Sequence, residues 1–121
     1  MKEYNKPIGN LGEDLCTRYL IKNNYFLKDR NYKKKNGEID IIATKNNILV
    51  FVEVKTRFSE NFCSTLECIN YKKQLTIKKI ASYYIYINNL YNYYIRYDAC
   101  FIIFNKFDNT YKFNYIEDAF R

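Results

Sequence analysis

Two runs of β-branched and apolar residues, joined through Asn46-Asn47, constrain the fold of this chain more than any other feature. The runs cover residues 38–44 and 48–55, and only Asn46 and Asn47 lie between Lys45 and Ile48. Such a two-residue connection predicts an antiparallel β-hairpin. Asparagine adopts the positive φ that a type I′ turn requires. If Lys45 faces Ile48 across this turn, the register of the whole hairpin follows.

That register brings charged side chains of the two strands together. It places Asp40 directly opposite Glu53 and Glu38 directly opposite Lys55, with all four side chains on one face. The other face is apolar and is predicted to pack inward, with Ile39, Ile41, Ala43, Val50, Val52 and Val54. Directly opposed residues have Cβ atoms roughly 5 Å apart, and two like charges at that distance repel each other. A divalent cation between Asp40 and Glu53 would remove this repulsion.

The residues around this pair suit a hard metal ion. Carboxylate oxygens, together with a backbone carbonyl such as that of Val54, are typical ligands of Mg²⁺ or Mn²⁺. Lys55 lies two residues beyond Glu53 on the same face, where it would polarise water or offset charge on a phosphate. The alternative is an exposed cross-strand ladder of salt bridges without catalytic function, and the residues alone leave both interpretations open.

Charge and composition limit the function classes. The chain has 20 Lys and Arg against 13 Asp and Glu, a net charge of +7, which favours an anionic partner such as nucleic acid over a merely solubilising surface. There is no histidine, so Ser/His and Cys/His nucleophiles and most catalytic zinc sites are excluded. The four cysteines form no close pair that suggests zinc. Catalysis would therefore use carboxylates, lysines or a hard metal ion.

The remaining patterns predict one mixed α/β domain over residues 1–121. Helices are predicted at residues 8–24 and 66–89, and a basic turn and a loop at residues 33–37 and 56–65. Strands are predicted at residues 25–32, 38–44, 48–55, 95–104 and 111–116. The order is thus α-β-β-β-α-β-β. No secretory signal or membrane-spanning run is visible, so we expect a cytoplasmic protein with reduced thiols.

Each predicted helix adds one candidate residue to the acid pair. Lys73 falls in phase with the apolar residues of the second helix, so it either reaches an anionic site or extends its ammonium group past the apolar surface. Neighbouring Lys72, Lys78 and Lys79 have the phase of solvated charges. Glu13, which follows Gly9 and Gly12 on the first helix, is either a further metal or water ligand or an acid stabilised by the helix dipole.

Taken together, these motifs resemble the YraN-type family of predicted endonucleases. The resemblance extends from Gly9 to about Ile103, and a glycine is usual in that family where this chain has Cys63. The matching motifs are Gly9-x-x-Gly12-Glu13, Asn31, Gly37-Glu38-Ile39-Asp40, Phe51-Val52-Glu53-Val54-Lys55-x-Arg57, Lys73-Gln74, Ala81 and Arg96-Tyr97-Asp98.

The resemblance implies a fold and a set of roles. The fold would be the restriction-endonuclease-like α/β core shared with Holliday-junction resolvases, a mixed central sheet with a helix on either side. Asp40 and Glu53 would bind Mg²⁺ or Mn²⁺, Lys55 would be the catalytic lysine and Glu13 the helix acid. Lys73 and Arg57 would support the site or contact phosphate. The implied activity is metal-dependent hydrolysis of phosphodiester bonds in DNA, including branched or structured DNA.

Two other function classes remain open at this point. The first is a nucleic-acid-binding module that keeps this fold without turnover. The second is a protein-interaction domain that uses its tyrosine-rich residues 83–97 as a partner surface or a homodimer interface.

Overall fold

The secondary structure follows the predicted order. The computed structural model describes residues 2–58 and 69–121, and for residues 2–9 it describes the backbone alone. The described elements are α1 (Lys2–Lys22), β1 (Phe26–Lys34), β2 (Gly37–Lys45), β3 (Ile48–Arg57), α2 (Tyr71–Asn88), β4 (Tyr94–Phe104) and β5 (Tyr111–Phe120).

The described strands form one mixed sheet in the order β1-β2-β3-β4-β5. β3 and β4 are parallel, and the other neighbouring pairs are antiparallel. A parallel pair needs a crossover connection, and α2 provides it. The prediction of a mixed sheet with a helix on either side is therefore confirmed.

Each face of the sheet is buried by one helix. On the α1 side the core contains Cys16, Leu20, Ile41, Val50, Val52, Cys100 and Ile102. On the α2 side it contains Ile42, Leu49, Phe51, Ile77, Ile80, Ala81, Tyr84 and Phe101. Because successive side chains of a strand point to opposite faces, a strand buried on both faces is apolar throughout. This explains the continuous apolar run of residues 48–52.

The β2–β3 hairpin has the predicted register. Pairing runs from Lys45↔Ile48 to Ile41↔Val52. In the turn, Asn46 has a φ of 54° whereas Asn47 does not have a positive φ. That is the φ pattern of a type II′ turn, so the predicted type I′ turn is wrong, although both types suit the twist of a hairpin.

Several element boundaries differ from the predictions. α1 begins at Lys2 rather than at residue 8, because the polar residues before Ile8 carry no apolar repeat that would reveal a helix. β1 and β5 extend further, to Lys34 and Phe120, since Lys34 pairs with Gly37 and Phe120 pairs with Tyr97.

α2 begins later than predicted. Its N-cap is Asn70, whose side chain accepts a hydrogen bond from the Lys73 N–H, and the helix ends before Asn89, which has a left-handed φ of 54°. The start predicted at residue 66 and most of the predicted loop lie outside the described residues, as does Cys63. Thr56 and Arg57, predicted to belong to that loop, form the end of β3.

Candidate active site

The site lies where the sheet divides. Pairing between β2 and β3 ends at Ile41↔Val52. Beyond this point β2 stays paired with β1, as far as Lys34↔Gly37, and β3 stays paired with β4, as far as Arg57↔Ile103. The two halves of the sheet therefore separate, and the fork between them leaves backbone groups of β2 and β3 free for side chains or ligands.

Asp40 occupies this fork. Its Oδ2 accepts a hydrogen bond from the Val54 N–H at 2.8 Å, taking the place of a strand-to-strand backbone bond. The predicted direct ladder pair of Asp40 with Glu53 is thus replaced by a side-chain contact, in which the carboxyl group of Glu53 lies close enough to raise the pKa of Asp40. Since two carboxylates repel, this contact needs a proton or a cation between them.

The alternation of the β2 side chains is broken at the same point. Ile39 packs on the α2 side with Ile42, whereas Ile41 packs on the α1 side. The prediction that Ile39 and Ile41 share a face is therefore wrong. In a regular strand they would do so, and the irregularity directs Asp40 into the fork.

The acid pair is buried. Asp40 is 9% exposed and Glu53 is 5% exposed, which contradicts the alternative of an exposed salt-bridge ladder. Burial, followed by the charge of Glu53, raises the pKa of Asp40 to about 9. Without a cation the pair therefore holds a proton at neutral pH.

Two lysines surround Glu53. Lys55 Nζ lies 3.7 Å and Lys73 Nζ lies 3.4 Å from Glu53 Oε2. Lys55 comes from the same strand, and Lys73 reaches across from the first turn of α2. This contact agrees with the alternative in which Lys73 reaches an anionic site, while its predicted role toward nucleic acid stays a prediction. Two ammonium groups beside one buried carboxylate make the α2 side of the fork suitable for an anionic group.

The Val54 carbonyl faces the fork as well. In a strand, the N–H and C=O groups of one residue point to the same side, and the Val54 N–H bonds to Asp40. The carbonyl is therefore directed toward β2, on the same side of β3 as Asp40. The role of Val54 as a backbone ligand of a metal ion stays a prediction.

Glu13 approaches from α1. It forms an ion pair with Arg30 at 3.5 Å, and Arg30 also binds Asp14 at 2.9 Å. Burial raises the pKa of Glu13, and hydrogen bonds from Asn31 and Arg30 partly offset this effect. The charge of Glu13 also contributes to the raised pKa of Asp40, so the helix acid lies near the fork while Arg30 and Asn31 hold it.

The predicted pairing of Glu38 with Lys55 is wrong. Glu38 pairs with Lys33 of β1, and Lys55 pairs with Phe101 of β4, because the strands have already diverged. Glu38 lies instead close enough to Glu13 to influence its pKa. Its Oε2 is buried and has no hydrogen-bond partner among the described residues, an orphaned acceptor near the fork that a cation or a water molecule would satisfy.

Arg57 lies further along β3. It is four residues beyond Glu53, about 13 Å at the rise of a strand, and its Nη1 donates to the Thr56 carbonyl. Arg57 therefore lies at the edge of the site rather than beside the acid pair.

No pattern in the sequence assigns Arg30 to the site, and Asn31 belongs to a family motif without a predicted role. Asn31 has a left-handed φ of 54°, and both residues are on β1, which is far from Glu13 in sequence. The position of Glu13 near the apolar stripe of its helix indicates that it needs a polar partner, but it does not indicate which residue that partner is.

The oxygen-rich donor set fits a divalent hard cation. The described residues include no group of three or more acidic, cysteine or histidine side chains around one position. The oxygens that could hold an ion in the fork are those of Asp40, Glu53 and the Val54 carbonyl. Mg²⁺ is commonly bound in this way, by one or two carboxylates together with water and phosphate oxygens. The buried acid pair and the orphaned Glu38 oxygen agree with that fit.

Fold and site together define a mixed α/β protein with a buried carboxylate pair at the fork of its sheet. Residues 12–102 match the model described as "Uncharacterised protein family UPF0102". The chain is 46% identical to a UPF0102 protein of Clostridium perfringens strain 13, 44% to one of Clostridium botulinum strain Alaska E43 and 43% to one of Clostridium tetani. Each match covers 100% of this chain and 99% of the relative. The chain therefore belongs to the UPF0102 family, the YraN-type family that its motifs resemble.

Among the described helices, none combines the length and the apolar character that a membrane span requires.

Proposed function

We propose that this protein is a metal-dependent nuclease that hydrolyses phosphodiester bonds in DNA. The observation that supports this most strongly is the contact between two buried carboxyl groups, Asp40 and Glu53, beside the ammonium groups of Lys55 and Lys73. Burying two acids together costs stability. A cost of this kind is typical of a functional site, where a bound cation offsets it.

In the proposed mechanism Asp40, Glu53 and the Val54 carbonyl would hold Mg²⁺ or Mn²⁺. When bound, the ion supplies Lewis-acid stabilisation of the phosphate and lowers the pKa of water. Lys55 holds the attacking water or offsets the charge that develops on the scissile phosphate. Lys73, whose ammonium group lies beside Glu53, would bind a non-bridging oxygen of the phosphate.

The outer residues have supporting roles in this proposal. Glu13, held by Arg30 and Asn31, orients water near Asp40, and Arg57 at the end of β3 contacts the substrate backbone. The net charge of +7 supports an anionic polymer as the substrate. DNA is the substrate that the motif resemblance implies, including branched or structured forms, and a cytoplasmic location would give access to it.

Cleavage assays with matched variants test this proposal. Wild type should cut DNA in the presence of Mg²⁺ or Mn²⁺, and EDTA should abolish cleavage. Asp40→Asn and Lys55→Met should each lower the rate by about 10²-fold or more, because the first loses a ligand of the metal ion and the second loses the ammonium group beside the scissile phosphate. Glu117→Gln, which changes an acid of β5 that is 59% exposed, should cut at the wild-type rate.

The assay should include duplex, single-stranded, flapped and four-way-junction DNA. Equal behaviour of wild type and Asp40→Asn on every substrate would contradict the nuclease proposal. If both proteins also bound DNA equally well, the non-catalytic binding module would take its place.

A further inference from the structure

A second basic surface lies between α2 and the turn that joins β1 to β2. It is a groove of about 660 Å³, distinct from the acid pair in the fork. Lys34 and Lys35 form one wall, Lys72 and Lys79 form the other, and Leu75 and Tyr83 contribute the apolar surface between them.

The lysines of this groove and its exposed apolar side chains make it complementary to an anionic ligand that carries an aromatic ring. Among the described residues that line it, every charged side chain is a lysine. Tyr83 is 45% exposed and Leu75 is 47% exposed, so an aromatic ring and an aliphatic side chain remain open to a ligand. Four cations around an exposed tyrosine match the composition of surfaces that bind unpaired nucleotides.

Packing holds the two walls together. A Cβ atom at Gly37 would lie 2.9 Å from Thr76 Cγ2, so the backbone at the start of β2 lies directly against α2. Lys34 Nζ lies 5.0 Å from the centre of the Tyr83 ring and 4.8 Å from that of Tyr32. The groove is thus formed by packed elements before a ligand arrives, which reduces the entropy lost on binding.

The groove adjoins the acid pair. Gly37 precedes Asp40 by three residues, about 10 Å along β2, and Lys72 precedes Lys73, whose Nζ contacts Glu53. A nucleic-acid strand that crosses the fork therefore reaches the groove within a few nucleotides.

We propose that this groove binds unpaired nucleotides of the nucleic-acid substrate. The lysines contact the phosphates, and a base stacks on the open part of Tyr83. A duplex keeps its bases stacked inside the helix, so it offers phosphates to the lysines but no ring to the tyrosine. The proposal rests on the proposed nuclease function for its link to cleavage, and it specifies a substrate with a single-stranded segment next to the cut.

Fluorescence anisotropy tests binding separately from cleavage. Wild type in EDTA is titrated into a labelled single-stranded oligonucleotide and into a duplex of the same length. We expect tighter binding to the single strand. Tyr83→Ala should weaken it by about 5- to 100-fold, whereas Tyr83→Phe should bind like wild type because it keeps the ring.

The charge contribution is measured from the dependence of affinity on salt. Lys79→Gln should lower the slope of log affinity against log salt by about 0.7, the value for one lost contact with a single strand. Tyr94→Ala and Lys22→Gln are matched controls. Tyr94 is an exposed tyrosine at the opposite end of the sheet, and Lys22 lies at the end of α1 on the other face, so neither should change binding.

The proposal is overturned if Tyr83→Ala binds like wild type, if the controls lose as much affinity as the groove variants, or if duplex binds as tightly as single strand. Its failure differs from failure of the nuclease proposal. Cleavage by wild type with unchanged binding by Tyr83→Ala would contradict the groove alone. Specific loss of binding in Tyr83→Ala without cleavage by wild type would contradict the nuclease alone.

Discussion

Asp40 illustrates how one buried acid links stability to function in this protein. Burial and the charge of Glu53 raise its pKa to about 9, compared with an ordinary value of 3.8. Between these two values the folded state holds a proton that the unfolded state has lost. The contribution of this proton to the free energy of unfolding is therefore fully present below about pH 4 and is lost as the pH rises through about 9.

This shift predicts that Asp40→Asn stabilises the metal-free protein. The amide oxygen can still accept the Val54 N–H, and the side chain is neutral in both the folded and the unfolded state, so folding at pH 8 no longer requires the uptake of a proton. At pH 8 the variant should unfold with a free energy about 1–2 kcal/mol higher than wild type. At pH 5 the difference should be smaller or reversed in sign, because each pH unit between these values favours the variant by at most about 1.4 kcal/mol.

Urea denaturation in EDTA at pH 5 and pH 8 measures this difference. The chain has no histidine, so few other groups titrate in this range. Glu117→Gln is the control and should match wild type at both pH values. An Asp40→Asn variant that is less stable than wild type at pH 8 would show that the acid pair is not a source of strain.

Among the elements, β4 and β5 are joined by a buried charge rather than by apolar contacts alone. Asp98 of β4 is completely buried, and it accepts hydrogen bonds from Arg96 Nε at 2.9 Å, Arg96 Nη2 at 2.9 Å and the Asp118 N–H at 2.9 Å. The Tyr115 hydroxyl donates to it as well. The Arg96-Tyr97-Asp98 motif therefore holds the end of the sheet, away from the fork.

Removal of the Asp98 carboxylate should strongly lower the free energy of unfolding. Asp98→Ala leaves the partly buried Arg96 without its main partner, so we expect a loss of about 3–5 kcal/mol in the free energy of unfolding. Glu117→Ala removes only an exposed partner of the same arginine, 3.5 Å away, and should cost at most about 1 kcal/mol. Thermal unfolding of both variants distinguishes these cases. Equal losses would mean that Asp98 has no special structural role.

The hairpin shows what local sequence can predict about an element. Asn46-Asn47 and the period of two gave the register of β2 and β3 as far as Ile41↔Val52. The pattern could not predict the fork beyond that pair, because β1 and β4 decide where the strands separate. For the same reason the positions of Ile39 and Glu38 were predicted wrongly.

At the scale of the whole molecule, the candidate site depends on contacts between distant segments. The regular periodicity of α2 made Lys73 a candidate for an anionic site, and its Nζ lies 3.4 Å from Glu53 Oε2. Arg30 could not be assigned, since its contact with Glu13 joins β1 to α1. The basic groove also combines two segments, the β1–β2 turn and α2. Neither segment alone distinguishes Lys72 and Lys79 from ordinary solvated lysines.

The whole fold also explains why Asp40 and Glu53 lie at the fork between β2 and β3. A sheet covered on both faces has little room for charge in its interior. The fork is a break in strand pairing that leaves backbone groups open, and Asp40 satisfies one of them at Val54. A cation held there would replace the shared proton of the acid pair and stabilise the folded state by binding to it alone.

The most direct test of the proposed metal site is a crystal of the wild-type protein soaked in Mn²⁺, measured for anomalous scattering. We predict a peak bonded to carboxylate oxygens of both Asp40 and Glu53, and no such peak in crystals of Asp40→Asn soaked in the same way. An empty fork in the wild-type crystal, with Glu53 still paired to Lys55 and Lys73, would contradict the proposal of a metal-dependent active site.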